Sequence, residues 1–157
     1  MKYKTELIIN LPRERVIELF DDSANLTKWQ KSLRSFEHIN GEPGQPGAKS
    51  RLIYDMDGRD IEMTETITSR SLPEEFSGIF EAEGVWNSLT NHFYEDGPGK
   101  TRWVLDSEFK FSGLMRVLSL FMKGSFSMQT ADFMNDFKEF AEAESSAAAE
   151  TESQPES

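Results

Sequence analysis

The stretch from Thr101 to Phe111 constrains the fold most strongly, because its side chains alternate in type. Charged residues occupy one parity, and Val104 is the only apolar exception there. Such alternation predicts a strand with one buried face and one face in water, as in an antiparallel sheet covered on one side. At about 3.3 Å per residue the strand spans roughly 35 Å, and a sheet with strands this long must twist and curl. The residues predicted to face inward are Thr101, Trp103, Leu105, Ser107, Phe109 and Phe111, and those predicted to face outward include Arg102, Asp106, Glu108 and Lys110.

Residues 114–142 carry a helical pattern directly after this strand. Apolar side chains recur at the spacing of one helix face, and Gly124 lies within the pattern. A helix this apolar is not stable alone in solvent, and the sheet also has an apolar face. Burying both requires the sheet to wrap around the helix. The apolar positions are Leu114, Val117, Leu118, Phe121, Phe126, Met128, Phe133, Phe137 and Phe140.

The rest of the chain predicts an antiparallel meander. One strand opens the chain, two short helices follow it, and turn-rich segments such as Asp57-Gly58 separate the later strands. The sequence therefore predicts an α+β domain with a curved antiparallel sheet of about seven strands and a long C-terminal helix. We expect the domain to span residues 1–142 and residues 143–157, which lack large apolar side chains, to form a disordered acidic tail. The six strands predicted before residue 101 are 3–9, 33–40, 49–56, 60–68, 76–83 and 85–94.

Charge and composition exclude several classes of function. The formal net charge of -11, without a basic stripe, disfavours nucleic-acid binding. The longest apolar stretches are far too short for stable membrane insertion, and Glu6 interrupts any signal-peptide-like run. With no cysteine and two histidines that share no ligand spacing, the sequence predicts no metal site and no cofactor. The absence of cysteine suits a cytoplasmic location.

Several short patterns in this order resemble the START/pollen-allergen-like superfamily, and within it the polyketide cyclase/dehydrase-like branch. They are Leu7-Ile8-Ile9-Asn10-Leu11-Pro12 with Val16, Leu26-x-x-Trp29, Gly97-x-Gly99-x-Thr101, and Phe133-x-x-x-Phe137-Lys138-x-Phe140-Ala141-Glu142. The resemblance covers roughly residues 3–142. It implies a helix-grip fold, in which a cavity between sheet and helix holds lipids, sterols, polyketides or hormones. It does not imply one reaction, because one fold hosts many functions.

The predicted ligand site lies between the last strands and the helix. Gly124, Ser125 and Ser127 leave room in a helix otherwise crowded with Phe and Met, so we expect a pocket of roughly 300–1,000 Å³ around Phe121 to Met128. Dense packing around a bend at Gly124 is the alternative. The residues expected to contact a ligand are Trp103, Leu105, Phe109, Phe121, Ser125 and Met128.

Three side chains are weak candidates for catalysis. Glu65 shares its parity with Ile61, Met63 and Ile67, so it faces inward if they do, and a buried carboxyl group has a raised pKa. Tyr54 and His92 complete the set, although either parity of the strand is compatible with the position of His92. The sequence thus predicts binding of a small hydrophobic ligand (a lipid, polyketide or quinone-like molecule), with a cyclase/dehydratase-type enzyme or a partner-docking module as alternatives. It does not indicate an oligomeric state.

Overall fold

The computed structural model describes the backbone of residues 1–121 and 123–153 and the side chains of residues 1–120 and 126–146. The described chain contains one antiparallel sheet of seven strands. In chain order the strands are Lys2–Ile9 (β1), Leu33–Asn40 (β2), Lys49–Met56 (β3), Arg59–Ser71 (β4), Glu75–Ala82 (β5), Val85–Glu95 (β6) and Thr101–Phe111 (β7). Their order in the sheet is β1-β7-β6-β5-β4-β3-β2, so all neighbours except β1 and β7 are consecutive in sequence.

The helices flank this sheet at both ends of the chain. The α1 helix (Arg13–Phe20), a 3₁₀ turn (Ser23–Asn25) and α2 (Leu26–Trp29) follow β1. After β7 come α3 (Leu114–Leu118), a 3₁₀ turn (Ser119–Phe121) and the long α4 (Lys123–Ser153). The predicted fold class is therefore confirmed: this is a helix-grip fold. Within the described residues, no helix has both the length and the apolar character needed to cross a membrane.

The prediction of a single helix over residues 114–142 is wrong at both ends, because α4 begins later, at Lys123, and ends later, at Ser153. The helix is interrupted before Gly124, where the Ser119 hydroxyl donates a hydrogen bond of 2.9 Å to the carbonyl of Arg116 and competes with the helical backbone pattern. It then continues past residue 142, because Ala and Glu favour helix even without an apolar face. The helical part of residues 143–157 thus corrects the expectation of disorder there, and residues 154–157 lie outside the described residues.

The predicted parity of β7 is confirmed. Trp103 and Leu105 are 0% and 1% exposed, and Phe109 packs against Phe126 on α4 with ring centroids 4.9 Å apart. Lys110 is exposed, whereas Arg102, Asp106 and Glu108 on the same face are only partly exposed. They are partly covered because β7 lies between β1 and β6, whose side chains crowd the same face.

An aromatic cluster fills one end of the molecule. Phe20 on α1 contacts Phe76, Phe93, Trp103 and Phe137, with ring centroids 5.1–6.1 Å apart. Edge-to-face pairs of this kind add stability beyond the area they bury. The solid core therefore lies where α1 and the middle of α4 meet β6 and β7, and side chains fill the space there.

The C-terminal part of α4 is fixed to the first strand by polar contacts. Lys138 donates a hydrogen bond to the carbonyl of Ile8, and Glu142 accepts one of 2.8 Å from the backbone N–H of Asn10. Lys138 and Glu142 also form an ion pair of 3.0 Å one helical turn apart. These contacts set the position of α4 along the concave face of the sheet.

Candidate functional site

A large cavity lies between the concave face of the sheet and α4, beyond the aromatic cluster. Its volume is about 1290 Å³, above the range expected from the sequence and above that of most ligand sites. It reaches from Phe126 and Phe133 on α4 to β3, β4 and β5, and so extends well beyond the predicted location around residues 121–128. The cavity exists because the curled sheet stands away from α4 at this end and none of the described side chains is large enough to fill the gap.

The cavity wall is mostly apolar. The alternation of each strand directs one set of side chains inward, and the inward set is rich in Leu, Met and Phe. Leu52 is 1% exposed and Leu105 is likewise buried, so the wall forms part of the folded core rather than a surface groove. Representative lining residues are Leu52, Met63, Phe80, Leu89, Leu105 and Phe133.

The cavity opens to solvent at one end. Leu114, at the start of α3, lines the cavity and is 74% exposed. Met115 packs over Gly84 in the β5–β6 turn, where a Cβ atom would come within 2.9 Å of the Met115 Cγ. Gly84 also has a φ of 75°, a conformation that favours glycine. The mouth is therefore bordered by α3 and the β5–β6 turn. Further exposed apolar residues lie beside it on α3 and on the 3₁₀ turn that follows, namely Val117, Leu118 and Leu120.

Glu65 points into the cavity from β4. It pairs with Ser50 on β3 and with Phe80 on β5, and Phe80 and Met63 also line the cavity. Part of the side chain faces the cavity space, but it lies deep among protein atoms, and this burial raises the pKa of Glu65 to about 7. Its carboxyl group forms no ion pair or hydrogen bond with any described side chain. An unpartnered carboxyl group in an apolar wall is unusual, because burial of the charged form is costly.

Tyr54 faces the same cavity from β3. Its hydroxyl donates a hydrogen bond of 2.8 Å to the side-chain oxygen of Gln30, which follows α2. Burial raises the pKa of Tyr54, and a negative charge on Glu65 raises it further. The phenol is therefore neutral throughout the physiological range and serves as a hydrogen-bond donor or acceptor.

Trp29 closes the cavity on the side of α2. Its side chain is 3% exposed and packs against Phe133 and Phe137, with ring centroids 4.7 and 5.1 Å apart. The indole N–H has no acceptor among the described residues. A buried donor without an acceptor is costly, and because protein atoms cover this nitrogen, the indole contributes its ring rather than its N–H to the cavity wall.

Only some of the residues predicted to contact a ligand line the cavity. Leu105 and Phe109 line the cavity. Trp103 lies instead in the solid core, where its indole donates a hydrogen bond of 2.9 Å to Asn91, and Met128 is 67% exposed outside the cavity lining. Both placements correct the sequence-based expectation, because the cavity lies farther along the sheet. The side chains of Phe121 and Ser125 lie outside the described residues.

His92 lies on the outer face of the sheet, which corrects its candidacy for the cavity. Its ring stacks on Tyr94 with centroids 6.1 Å apart, and its Nε2 lies 3.4 Å from Asp106 on β7. The other parity of β6 faces inward, since Asn87, Asn91 and Phe93 are buried. Within the described residues, no three His, Asp or Glu side chains converge as a metal ion would require.

Sequence reasoning missed the contribution of α2 and of the middle strands. Trp29 and Gln30 belong to a short helix and its end, and nothing local indicates that they meet β3. Leu52 shares its parity with Tyr54 on β3, and Met63 shares its parity with Glu65 on β4. Phe80 on β5 is the cross-strand partner of Glu65. The alternation of side chains along these three strands was therefore the signal that could have identified the cavity-facing residues. That signal predicts inward side chains but not whether they surround a cavity.

Comparisons with known proteins agree with this architecture. Residues 1–142 match the family model described as polyketide cyclase/dehydrase and lipid transport. None of the curated proteins matches the chain. A protein from Thermus thermophilus is 20% identical with a TM-score of 0.76, over 92% of this chain and 99% of the other.

Two further solved structures are similar in fold. The Zhui aromatase/cyclase from a Streptomyces species is 13% identical with a TM-score of 0.77, over 90% of this chain and 93% of the other. A START superfamily protein from Mycobacterium smegmatis is 11% identical with a TM-score of 0.74, over 90% and 97%. At such identities the similarity shows a shared fold, which different functions use.

Proposed function

The chain belongs to the polyketide cyclase/dehydrase and lipid-transport family, and from that premise we propose that it binds a small hydrophobic molecule in the cavity between sheet and α4. A lipid, a polyketide or a quinone-like compound has the required apolar character. Binding buries the apolar surface of the ligand and of the cavity wall together, which supplies the driving force. The protein then sequesters or delivers its ligand.

One observation carries the proposal: a cavity of about 1290 Å³ has a mostly apolar wall and one carboxyl group, that of Glu65, without a partner among the described side chains. The apolar wall supplies affinity, while Glu65 supplies orientation, as is usual for small-molecule sites. A cavity this large in a domain of this size weakens the packing around it. A bound ligand would restore contacts that the wall lacks.

The test is uptake of a neutral apolar probe, N-phenyl-1-naphthylamine, whose fluorescence rises in an apolar site. The variant Ala82→Trp places a large ring in the cavity, since Ala82 lines it. The control Ser88→Trp places the same ring on the outer face of β6. We expect the parent and the control to bind the probe and Ala82→Trp to lose binding while remaining folded. A parent that does not take up the probe, or equal binding by both variants, contradicts the proposal.

A second function, acid–base catalysis on a hydrophobic carbonyl compound, is favoured by Glu65 and Tyr54 together. A carboxyl group with a pKa of about 7 is present in both protonation states near neutral pH, which suits a general acid or base. The Tyr54 hydroxyl can donate a hydrogen bond to a carbonyl oxygen by exchanging its bond to Gln30 for one to the substrate. Proton NMR in D₂O tests this role: the protein should accelerate deuterium incorporation next to the carbonyl of 2-tetralone, and Glu65→Gln should abolish the acceleration.

A third function, docking to a partner protein, is favoured by the exposed apolar side chains beside the mouth. Leu114 and Leu120 are 74% and 64% exposed. The double variant Leu114→Glu with Leu120→Glu separates docking from ligand uptake. An unchanged affinity for N-phenyl-1-naphthylamine assigns these residues to docking, and a changed affinity assigns them to the cavity mouth.

A further inference from the structure

The ionisable residues that line the cavity are almost all acidic. Among the described side chains, six carboxyl groups and one lysine, Lys31, border it. The acids come from separate elements, so the negative charge surrounds the opening rather than lying on one side of it. They are Asp60, Glu62, Glu65, Glu83, Asp132 and Asp136.

Basic residues neutralise only part of this charge. Lys31 lies 3.5 Å from Asp136, the Arg51 Nε lies 2.9 Å from Glu62, and the Arg34 Nε lies 3.6 Å from Asp60. Glu65, Glu83 and Asp132 have no basic partner among the described side chains. Glu83 and Asp132 are exposed at the mouth, so they act on a ligand as it approaches, whereas Glu65 acts on a ligand that has entered.

We propose that the cavity selects hydrophobic molecules that carry a protonated amine, which Glu65 binds, and that it rejects hydrophobic carboxylates such as fatty acids. This inference rests on the proposed binding function and names the ligand class of the same site. Its geometric basis is the deeply placed carboxyl group of Glu65, which has no described partner, the two other unneutralised acids, Glu83 and Asp132, and the absence of any Lys or Arg other than Lys31 from the described lining.

An ammonium group supplies what Glu65 lacks. Its N–H donors form charge-assisted hydrogen bonds with a carboxylate, and these are the stronger class of hydrogen bond. Protons balance in the exchange: an amine that enters as its ammonium pairs with ionised Glu65, and any proton that Glu65 held in the empty cavity passes to solvent. The apolar part of the ligand meanwhile lies against residues such as Phe80 and Met63.

A ligand that carries a carboxylate is repelled by the acidic side chains that attract an ammonium group. It must pass Glu83 and Asp132 at the mouth and then lose its hydration beside Glu65, with no described arginine or lysine inside to compensate. Like charges in a poorly hydrated site repel strongly. The Trp29 indole N–H is one neutral donor and does not balance a full negative charge.

The experiment compares three probes that share one aromatic body at pH 7.5: 1-pyrenemethylamine, 1-pyrenemethanol and 1-pyreneacetic acid. Their dissociation constants are measured by quenching of tryptophan fluorescence. The amine should bind about 10- to 100-fold more tightly than the alcohol, as expected for one charge-assisted hydrogen bond, and the acid should bind most weakly. Equal affinities for amine and acid, or tighter binding of the acid, overturn the inference.

Matched variants assign the preference to Glu65. Glu65→Gln should bring the affinity for the amine to within about threefold of that for the alcohol, because the charged contact is lost. Glu81→Gln removes the same charge from the outer face of β5, where Glu81 is exposed, and should keep the preference. A preference that survives in Glu65→Gln overturns the role of this residue. Binding of the alcohol without preference for the amine defeats the inference alone, whereas failure of all three probes to bind defeats the proposed function as well.

Discussion

Tyr54 and Glu65 face one cavity from adjacent antiparallel strands, and a negative charge on Glu65 makes Tyr54 harder to ionise. They come from β3 and β4, whose register pairs Tyr54 with Ile61 and Glu65 with Ser50. Burial already raises the pKa of both groups, and a charge on Glu65 raises the pKa of Tyr54 further. The hollow end of the molecule therefore holds buried groups whose charged forms cost stability, whereas the solid end holds a closely packed aromatic core.

Glu65→Gln should stabilise the protein at neutral and higher pH. The folded-state pKa of Glu65 is about 7 and the ordinary value is 4.5, so the folded state binds the proton more tightly than the unfolded state. The stability that the folded state gains by holding this proton is fully present below pH 4.5. It is lost as the pH rises through 7, and the total loss is up to about 3 kcal/mol. Solvent that reaches the cavity reduces this value.

The measurement is urea unfolding of the parent and Glu65→Gln at pH 5, 6, 7 and 8. The free energies of unfolding should diverge as the pH rises, with the variant more stable at pH 8. Parallel curves across this range would show that Glu65 ionises at its ordinary value.

Glu142→Gln should have the opposite dependence on pH. Burial opposes ionisation of Glu142, but the Asn10 backbone N–H and Lys138 more than offset it, so the pKa of Glu142 lies below its ordinary value of 4.5. The stability that Glu142 contributes is present above pH 4.5 and is lost as the pH falls through the folded-state pKa. At pH 7 we expect a loss of about 1–2 kcal/mol for a charged hydrogen bond that is partly exposed.

Thermal unfolding at pH 7 and at pH 3 tests this expectation. The gap in melting temperature between the parent and Glu142→Gln should narrow at the lower pH. Glu144→Gln, two residues along the same helix, is an exposed control and should match the parent at both values.

Two buried tryptophans should respond differently to replacement by phenylalanine. The Trp103 indole donates to Asn91, whereas the Trp29 indole has no described acceptor. Both substitutions remove similar volume, but Trp103→Phe also leaves the Asn91 side-chain oxygen without its donor. Trp103→Phe should therefore cost about 1–3 kcal/mol more than Trp29→Phe in the free energy of unfolding. Equal losses would indicate that Trp29 also has a hydrogen-bond partner in solution.

Removal of residues 147–157 should leave the melting temperature within about 2 °C of the parent. This segment contains only Ala, Glu, Thr, Ser, Gln and Pro, so it has no large apolar side chain to pack against the domain. Ser145 must be retained, because its hydroxyl accepts a hydrogen bond of 3.1 Å from Arg15 on α1. A fall of more than about 5 °C would show that the segment docks onto the domain.

The sequence by itself determined the elements of the fold and the faces of its clearest strand. The alternation around Trp103 and the turn at Asp57-Gly58 are local patterns, and a period of two or a turn preference operates within a few residues. The inward direction of Glu65 was predicted only on the condition that Ile61, Met63 and Ile67, which share its parity, face inward. Such inferences succeed because the backbone geometry that they use is the same in every fold.

Only the tertiary structure decided which inward side chains surround a cavity. His92 faces outward because both parities of β6 contain polar and apolar residues, so the pattern did not distinguish the faces. Trp29 reaches the cavity through the packing of α2 against α4, and Trp103 is core because Phe20 and Phe137 fill the space beside it. Whether a space stays empty depends on the separation of sheet and helix and on the summed volumes of side chains far apart in sequence. No local pattern contains that sum, and it is what makes one end of this domain solid and the other hollow.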